Sequence, residues 1–180
     1  MSYTIDEHKH RLSAWAAGRA ASVKGCRFTV EQAKLIIETA NLKRLLSGVD
    51  VLPSQDHLDL AHCEWRQSVI KAAEQHDLAF THGVAAKLIN VYLKAGIVCG
   101  GHHNDERVKA LHPPIDSVLL DELYNRNIGN LKKAWRDARS IRWSNFNSDQ
   151  YETIISNIRL AIGSNALWEV EQFWQGYQGK

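Results

Sequence analysis

The spacing of apolar residues follows the period of an α-helix along almost the whole chain. One predicted helical face near the N-terminus carries Leu12, Trp15, Ala16, Ala20 and Val23. A later series of the same kind is Leu58, Ala61, Trp65, Val69 and Ala72. Residues three and four apart lie on one side of a helix, so each series predicts a buried face. No run alternates strictly between apolar and polar residues and ends in hairpin-type turn residues. The pattern therefore predicts an all-α fold without a sheet.

Residues that commonly cap helices precede several of these segments. Thr4 with Glu7, and Thr29 with Gln32, have the spacing of a capping box. The predicted helix starts are Thr4, Thr29, Ser54 and Ser148. The last of these precedes an apolar series made of Tyr151, Ile154, Ile155, Ile158 and Ile162. All three prolines, which are Pro53, Pro113 and Pro114, fall between periodic segments, as expected of residues that end helices.

Length and composition indicate one globular domain over residues 1–180. The chain has 180 residues, of which 44% are hydrophobic, and this is enough for one well-filled core. No stretch approaches the roughly 18 apolar residues of a membrane span. The first residues show no basic start followed by an apolar run, so we expect neither a signal peptide nor a membrane partner. We therefore expect a cytoplasmic monomer.

The cysteines are Cys26, Cys63 and Cys99. Their odd number and wide spacing argue against a disulfide framework, a zinc ribbon and an iron–sulfur cluster. The formal net charge of +2 allows nucleic-acid binding without a basic coat over the whole surface, so such a site would be a local patch.

The stretch from residue 96 to 114 differs from the rest because it is rich in glycine and polar residues. It contains the histidine pair His102 and His103. Its composition predicts a surface loop with a short helix near residues 106–111. Two adjacent histidines in such a loop are usually solvated, and we expect no metal site there.

The segment before this loop carries the most specific pattern. It runs Gly83-Val84-Ala85-Ala86-Lys87, and we expect a helix to begin near Val84. The predicted buried side of that helix carries Val84, Leu88, Val91 and Ala95, and the predicted polar stripe carries Lys87, Asn90 and Lys94. After the loop, Pro114-Ile115-Asp116 opens another amphipathic helix.

These two segments together resemble the helix-hairpin-helix DNA glycosylases, the superfamily of endonuclease III and the 8-oxoguanine DNA glycosylases. Gly83-Val84 matches the Gly-Val of the hairpin, Lys87 falls on the catalytic lysine, and Pro114-Ile115-Asp116 matches the segment that ends in the catalytic aspartate. Ala85 stands where the second hairpin glycine usually is, and His82 where proline often is. The separation of Lys87 from Asp116 is also longer than is usual. The match covers about a quarter of the chain.

The resemblance implies a bifunctional glycosylase with a helix-hairpin-helix element. In such an enzyme a lysine amine attacks C1′ of the sugar, expels the damaged base and forms a Schiff base. Lys87 would supply the amine, and a place in the first turn of its helix would disfavour an extra positive charge. Asp116 would cap the next helix and stabilise the cationic sugar. The chemistry requires neither a metal nor an organic cofactor.

The same resemblance predicts how duplex DNA with a damaged base, first of all an oxidised purine, would be bound. Backbone amides of Gly83, Val84 and Ala85 would contact a phosphate, with Asn90 beside them. The target base must leave the duplex, so an aromatic wedge or wall is expected. The candidates are Trp65, Tyr92, Trp143 and Phe146.

A basic stretch later in the chain is a second candidate for phosphate contact. Lys132, Arg136 and Arg139 share one face of a predicted helix, with Trp135 and Ala138 opposite. A charged helical face is commonly only solvated, so this surface is suggestive mainly beside the glycosylase resemblance.

Two other classes of protein stay open at this point. A non-catalytic helical DNA-binding protein would keep the hairpin for phosphate contacts, and the Ala85 departure favours it. The presence of both Lys87 and Asp116 argues against it, because phosphate binding alone does not need the pair. A helical interaction protein without a nucleic-acid role would show no salt-sensitive affinity for DNA.

Overall fold

The computed structural model describes residues 3–178 of the chain, and within them the predicted all-α fold is confirmed. The α-helices are α1 (Ile5–Ala21), α2 (Val30–Thr39), α3 (Gln55–Glu74), α4 (His82–Leu93), α5 (Glu106–Lys109), α6 (Ser117–Asn125), α7 (Lys132–Ile141) and α8 (Ser148–Ile162). Short 3₁₀ helices join them, among them Trp143–Asn145 between α7 and α8 and Leu167–Phe173 after α8.

Helix α4 is the centre of the fold. Helices α1, α3 and α8 pack against it, and α6 and α7 pack against each other. All residues of α4 except His82 and Val91 are buried. Such burial on every side is unusual for a helix that carries a lysine and an asparagine, because a buried polar side chain costs free energy unless it is hydrogen-bonded. Both side chains are accordingly bonded, as described below.

One helical stretch, His82–His102, is long and apolar enough to cross a membrane by length and composition. Within the fold, 67% of its most apolar window is buried against the rest of the protein. This helix therefore lies mostly in the core of the fold.

The capping predictions are largely confirmed. Thr29 and Gln32 form both bonds of a capping box. Thr4 caps α1 by accepting from the amide of Glu7. The predicted start at Ser148 lies one residue late, because Asn147 is the N-cap and forms the capping box with Gln150.

The predicted buried face of α1 is wrong. Leu12 and Trp15 are 56% and 54% exposed, and the buried face carries instead His10, Ser13, Ala14, Ala17, Gly18 and Ala21. The physical reason is close approach between helices. A Cβ atom at Gly18 would lie 2.8 Å from Cβ of Ala33 on α2, so only small residues fit this contact.

The predicted surface loop over residues 96–114 is only partly correct. Lys94–His102 continues α4 as a π-helical segment, in which Gly96 and Ile97 are buried. The short helix expected near residues 106–111 is present as α5. The glycine content suggested a loop, but Gly96 is required for helix packing. A Cβ atom there would lie 2.5 Å from a methyl group of Leu46.

Candidate active site

Lys87 reaches the site from the second turn of α4. The helix begins at His82, two residues before the predicted start, with Thr81 as its N-cap. The Thr81 hydroxyl accepts from the amide of Val84 at 3.1 Å and donates to the carbonyl of Ser144 at 2.7 Å. The predicted first-turn position of Lys87 is therefore wrong, and the positive end of the helix dipole acts on it less strongly than expected, since that effect falls off within the first turn.

Asp116 is the N-cap of α6, as predicted. Its backbone is extended, and Oδ1 accepts from the amide of Leu119 at 2.9 Å. This bond fixes one carboxylate oxygen on the helix end and turns Oδ2 towards α4. The preceding segment is held by Asn90 on α4, whose side-chain amide donates to the carbonyl of Pro113 at 2.9 Å.

The structure brings Lys87 and Asp116 together. Nζ of Lys87 donates to Oδ2 of Asp116 at 2.9 Å, and the two side chains are 6% and 18% exposed. The indole N–H of Trp174 donates to the same oxygen at 3.0 Å. Asp116 thus accepts three hydrogen bonds, which orient its carboxylate, while Lys87 has a counter-ion in a largely dry setting.

A cavity of about 580 Å³ opens beside this pair. Its polar side chains come from Lys87, Asp116, Lys94 and Glu171. The rest of its wall is mostly apolar and is formed by Leu12, Ala16, Ala20, Val91, Ala95, Cys99, Pro114 and Trp174. A mainly apolar cavity of this size with a few convergent polar groups is typical of sites for small organic ligands.

Leu12, which was expected in the core, lines this cavity while more than half exposed. The apolar face of α1 that was predicted to be buried therefore contributes Leu12, Ala16 and Ala20 to the cavity wall.

Two residues of the C-terminal segment complete the site, and the sequence analysis did not find them as site residues. Glu171 lies in the 3₁₀ helix Leu167–Phe173 and forms an ion pair with Lys94. Trp174 follows this helix and also lies beside Lys94, whose Nζ is 5.7 Å from the indole ring centre.

Glu171 is in an unusual electrostatic position. Burial raises the pKa of its carboxyl group, and the neighbouring Lys94 and Lys87 oppose this rise. Its Oε1 atom is buried and has no hydrogen-bond partner among the residues described. A buried acceptor of this kind costs free energy until a donor reaches it.

Among the predicted aromatic candidates, Trp143 lies closest to the chemistry. Nζ of Lys87 is 5.7 Å from the centre of its ring, and the side chain is largely buried. Trp65, Tyr92 and Phe146 are core residues in this structure, with at most 7% exposure. Trp143 can form part of the wall around Lys87, but none of the four stands out from the surface as a wedge.

The predicted phosphate contact through the hairpin amides is not available in this conformation. The amide of Gly83 donates to the carbonyl of Phe146 at 3.1 Å, that of Ala85 donates to Thr81, and that of Val84 is bonded to the Thr81 hydroxyl. Gly83, Val84 and Ala85 are also buried. Gly83 instead permits the segment after α7 to lie on the start of α4, because a Cβ atom would be 1.8 Å from the Trp143 carbonyl oxygen.

Asn90, expected as a DNA contact, is a buried structural residue with 2% exposure. Besides the Pro113 bond, its amide donates to the Tyr151 hydroxyl at 2.9 Å, and its side-chain oxygen is bonded to His62 at 2.8 Å. His112 contacts the same tyrosine hydroxyl at 3.1 Å. Of the predicted polar stripe of α4, Asn90 thus belongs to an internal network that ties α4 to the segment before Asp116, whereas Lys87 and Lys94 line the cavity.

The basic face of α7 borders the site. Lys132 and Arg136 are exposed, and Arg139 is half-buried, with its guanidinium bonded to Asp121 at 2.5 Å. Arg139 also lines a groove with Arg142, Trp143 and Ser117. Trp143 lies beside Lys87 and Ser117 follows Asp116, so Arg139 is the part of the basic face that comes nearest to the Lys87–Asp116 pair, whereas Lys132 and Arg136 do not line this groove.

Comparison of the chain with protein-family models, curated proteins and solved structures found no match. Within residues 3–178, no group of three or more His, Cys, Asp or Glu side chains is placed to hold a metal ion.

Proposed function

We propose that the protein is a DNA-repair glycosylase with associated lyase activity, which excises a damaged base through a Schiff base on Lys87. The observation that carries the proposal is the 2.9 Å contact between Lys87 Nζ and Asp116 Oδ2 at the wall of a largely apolar cavity. The same two residues carry the resemblance to the catalytic lysine and aspartate of the glycosylases. The helix-hairpin-helix element is part of this proposal, with α3 and α4 as its helices.

The chemistry balances without a cofactor. The ammonium group of Lys87 first gives up one proton, and the neutral amine forms a bond to C1′ as the bond from C1′ to the base breaks. The electron pair leaves with the base, which takes up that proton. The attached amine then passes a second proton to the ring oxygen O4′ as the sugar opens, and one proton stays on the resulting iminium ion.

Asp116 would stabilise the positive charge that forms in this scheme. Its Oδ2 atom faces Lys87, so it lies where positive charge develops on the sugar as the base departs. The bonds from Leu119 and Trp174 keep the carboxylate aimed before substrate arrives. Such preorganisation avoids reorganisation during the reaction.

The proposed substrate is duplex DNA in which the target base turns out of the helix into the cavity. The exposed basic face of α7 would hold the phosphates near Trp143, in place of the hairpin amides. We place the reaction in the cytoplasm, with the protein acting as a monomer.

The test is reductive trapping on DNA that contains an abasic site. Sodium borohydride reduces an iminium ion to a stable amine, so the wild-type protein should become covalently attached to labelled abasic duplex. Lys87→Ala should abolish the adduct, and Lys94→Ala serves as the matched control, because Lys94 is the other lysine in the cavity wall.

Undiminished trapping by Lys87→Ala would assign the amine to another residue. Salt-sensitive DNA binding without any trapping by the wild-type protein would favour the non-catalytic DNA-binding alternative. Absence of both would favour a helical interaction protein.

A further inference from the structure

We infer that Glu171 and Lys94 recognise the polar edge of the extruded base, and that the pocket selects bases in which an N–H donor lies beside an acceptor atom. This inference rests on the proposed function and concerns the same cavity. It assigns the specificity of that cavity to a pair of side chains from the π-helical segment and the C-terminal 3₁₀ helix.

Glu171 has one carboxylate oxygen without a hydrogen-bond partner among the residues described. Glu171 is held through Oε2 by Lys94, while Oε1 is buried without a partner among the residues described. The Glu171 side chain is 15% exposed, so water has little access to it. A ligand N–H that reaches Oε1 would remove the cost of leaving a buried acceptor unpaired.

Lys94 and Glu171 place hydrogen-bond donors next to an acceptor. Lys94 has three N–H donors and no acceptor, and one of them is committed to Glu171. Once the Glu171 side chain turns so that the buried Oε1 reaches the cavity, the pair offers a base an acceptor and a donor side by side. An intact base edge has the complementary pattern, whereas an edge closed by an alkyl group or an etheno bridge has lost its donor.

The charged groups of the cavity wall also affect which bases the cavity can hold. The cavity wall carries two ammonium groups, on Lys87 and Lys94, and two carboxyl groups, on Asp116 and Glu171. Their charges offset one another, so the pocket has no net attraction for the cationic bases that ring alkylation produces. Recognition then depends on hydrogen bonds, and oxidised or deaminated bases fit this requirement better than alkylated ones.

The segment that carries Glu171 also reaches Asp116. Trp174, three residues after Glu171, donates to Asp116, so one short segment reaches both the catalytic carboxylate and the proposed recognition pair. A base seated against Glu171 would consequently be held in the same cavity as Lys87. Glu171 is thus a specificity residue, distinct from the amine that forms the bond.

The experiment compares two bases that differ in one N–H group. Hypoxanthine has an N1–H donor beside its carbonyl oxygen, and in 1-methylhypoxanthine a methyl group replaces that hydrogen. Each is placed in a duplex as a 2′-fluoro nucleotide, which resists cleavage, opposite an abasic-site analogue so that pairing strength does not differ. Binding affinity is then measured for the wild type and three variants, Glu171→Leu, Glu171→Gln and Glu169→Leu.

The wild type should bind the hypoxanthine duplex about tenfold more tightly than the methylated one, as expected when one buried hydrogen bond is lost. Glu171→Leu should bring this ratio close to one, and Glu171→Gln should keep part of it, since the amide retains an acceptor oxygen. Glu169→Leu should keep the full ratio, because Glu169 bonds the backbone of Ala166 on the same 3₁₀ helix.

Trapping on abasic DNA separates this inference from the proposed function. Since an abasic site has no base to recognise, the adduct formed by the wild type reports on the amine and not on base recognition, and Glu169→Leu, which changes a residue outside the wall of this cavity, should form it as fast as the wild type. If trapping succeeds but the wild type does not distinguish the two bases, or Glu171→Leu distinguishes them equally well, the assignment of Glu171 is wrong and the glycosylase proposal stands. If the wild type forms no adduct, the proposed function itself fails.

Discussion

Lys87 and Asp116 lie 29 positions apart in the chain, and the structure joins them by a contact of 2.9 Å between Nζ and Oδ2. Each is held by its own helix: Lys87 projects from the second turn of α4, and Asp116 caps α6. The bond from Asn90 to Pro113 ties the two helices together close to this pair. Because both side chains are held in place, they would not need to move during the proposed reaction.

The first prediction concerns Asp116→Asn. Asparagine caps helices about as well as aspartate, so its oxygen should keep the bond to the Leu119 amide. Its NH₂ group would then face two further donors, Lys87 and Trp174, and Lys87 would lose its counter-ion. We expect a loss of about 1–3 kcal/mol in the free energy of unfolding. Base excision should fall by about 10²-fold or more, because a preorganised negative charge is lost.

Single-turnover excision and urea unfolding, measured well below the melting temperature of the variant, check both parts of this prediction. Trp174→Phe is the control, since it removes one donor to Asp116 but leaves the carboxylate charge. A stable Asp116→Asn protein with wild-type excision would assign Asp116 to capping alone.

The second prediction concerns DNA binding by α7. If the protein neutralises about three to five phosphates, the slope of log affinity against log salt should be about −3 to −4.5. Changing the exposed residues Lys132, Lys133 and Arg136 together to Gln should make the slope shallower by about 2–3, since each phosphate contact contributes about 0.9. Fluorescence anisotropy with duplex DNA at several salt concentrations measures it.

Lys71→Gln provides the control for the α7 variant. Lys71 is exposed on α3, none of whose residues lines the cavity beside Lys87. Its loss should leave the salt slope unchanged within about half a unit. An equal loss of slope in both proteins would mean that α7 is not a preferred DNA surface.

Sequence reasoning predicted the helical fold well, because helical periodicity is a local property that each segment carries by itself. It failed for α1, where the large apolar residues Leu12 and Trp15 suggested the buried face. The actual contact is made by small residues such as Ala17 and Gly18, since α1 approaches its neighbours closely. Side-chain volume at a helix contact depends on the distance between the helices, which the local pattern does not contain.

In the candidate site, too, the residues with a local sequence pattern could be predicted, and those defined by long-range contacts could not. Lys87 and Asp116 could be selected from the sequence because both belong to short segments with a recognisable pattern. Trp174 lies 58 positions beyond Asp116, and nothing in its own surroundings in the sequence points to that carboxylate. Asn90 was misassigned because a polar residue on a helix usually faces solvent, whereas here a buried network of polar side chains satisfies it.

The third prediction concerns Gly83→Ala. The new methyl group would meet the Trp143 carbonyl oxygen at 1.8 Å, so the segment that follows α7 would have to move. We expect a loss of about 1–3 kcal/mol in the free energy of unfolding, as for other overpacked sites. Excision should also fall, since Trp143 lies over Lys87.

Gly100→Ala is the matched control for the Gly83 variant, because a Cβ atom there would have no neighbour within 4 Å. It should be neutral or slightly stabilising, since alanine restricts the unfolded chain. Urea unfolding of both variants provides the measurement. Equal stability of the two proteins would mean that the segment after α7 does not press on the start of α4.

The last prediction follows from the two buried histidines of the network around Asn90. Burial lowers the pKa of both His62 and His112 below the ordinary value of 6.5, most strongly for His62, where the Arg66 guanidinium and any proton taken up by His112 act in the same direction. For His112, the hydrogen bond to Asp59 opposes the shift, while Arg159 and Arg66 add to it. Both rings are therefore neutral in the folded protein at pH values where histidines of the unfolded chain already take up protons.

The sign of the effect follows from this difference. As the pH falls below about 6.5, the unfolded chain binds protons that the folded protein excludes, so the free energy of unfolding decreases. Above that pH the contribution is fully present. Between pH 7.5 and 5.5 the free energy of unfolding should therefore fall, by up to about 1 kcal/mol for a histidine whose protonation the fold excludes over this whole range. Asp59, whose pKa is held well below its ordinary value of 3.8 by the hydrogen bond from His112, titrates outside this range.

Urea unfolding at pH 7.5, 6.5 and 5.5 tests this prediction, with two variants for comparison. His62→Gln should be less stable than the wild type at pH 7.5, because glutamine does not reproduce the bonds to Asn90 and Arg66. It should nevertheless lose less stability on acidification than the wild type does, since one of the two buried titrating groups is gone. His102→Gln removes an exposed histidine and should keep the wild-type pH dependence. If His62→Gln retains the full pH dependence, the acid sensitivity arises elsewhere in the protein and the buried histidines do not cause it.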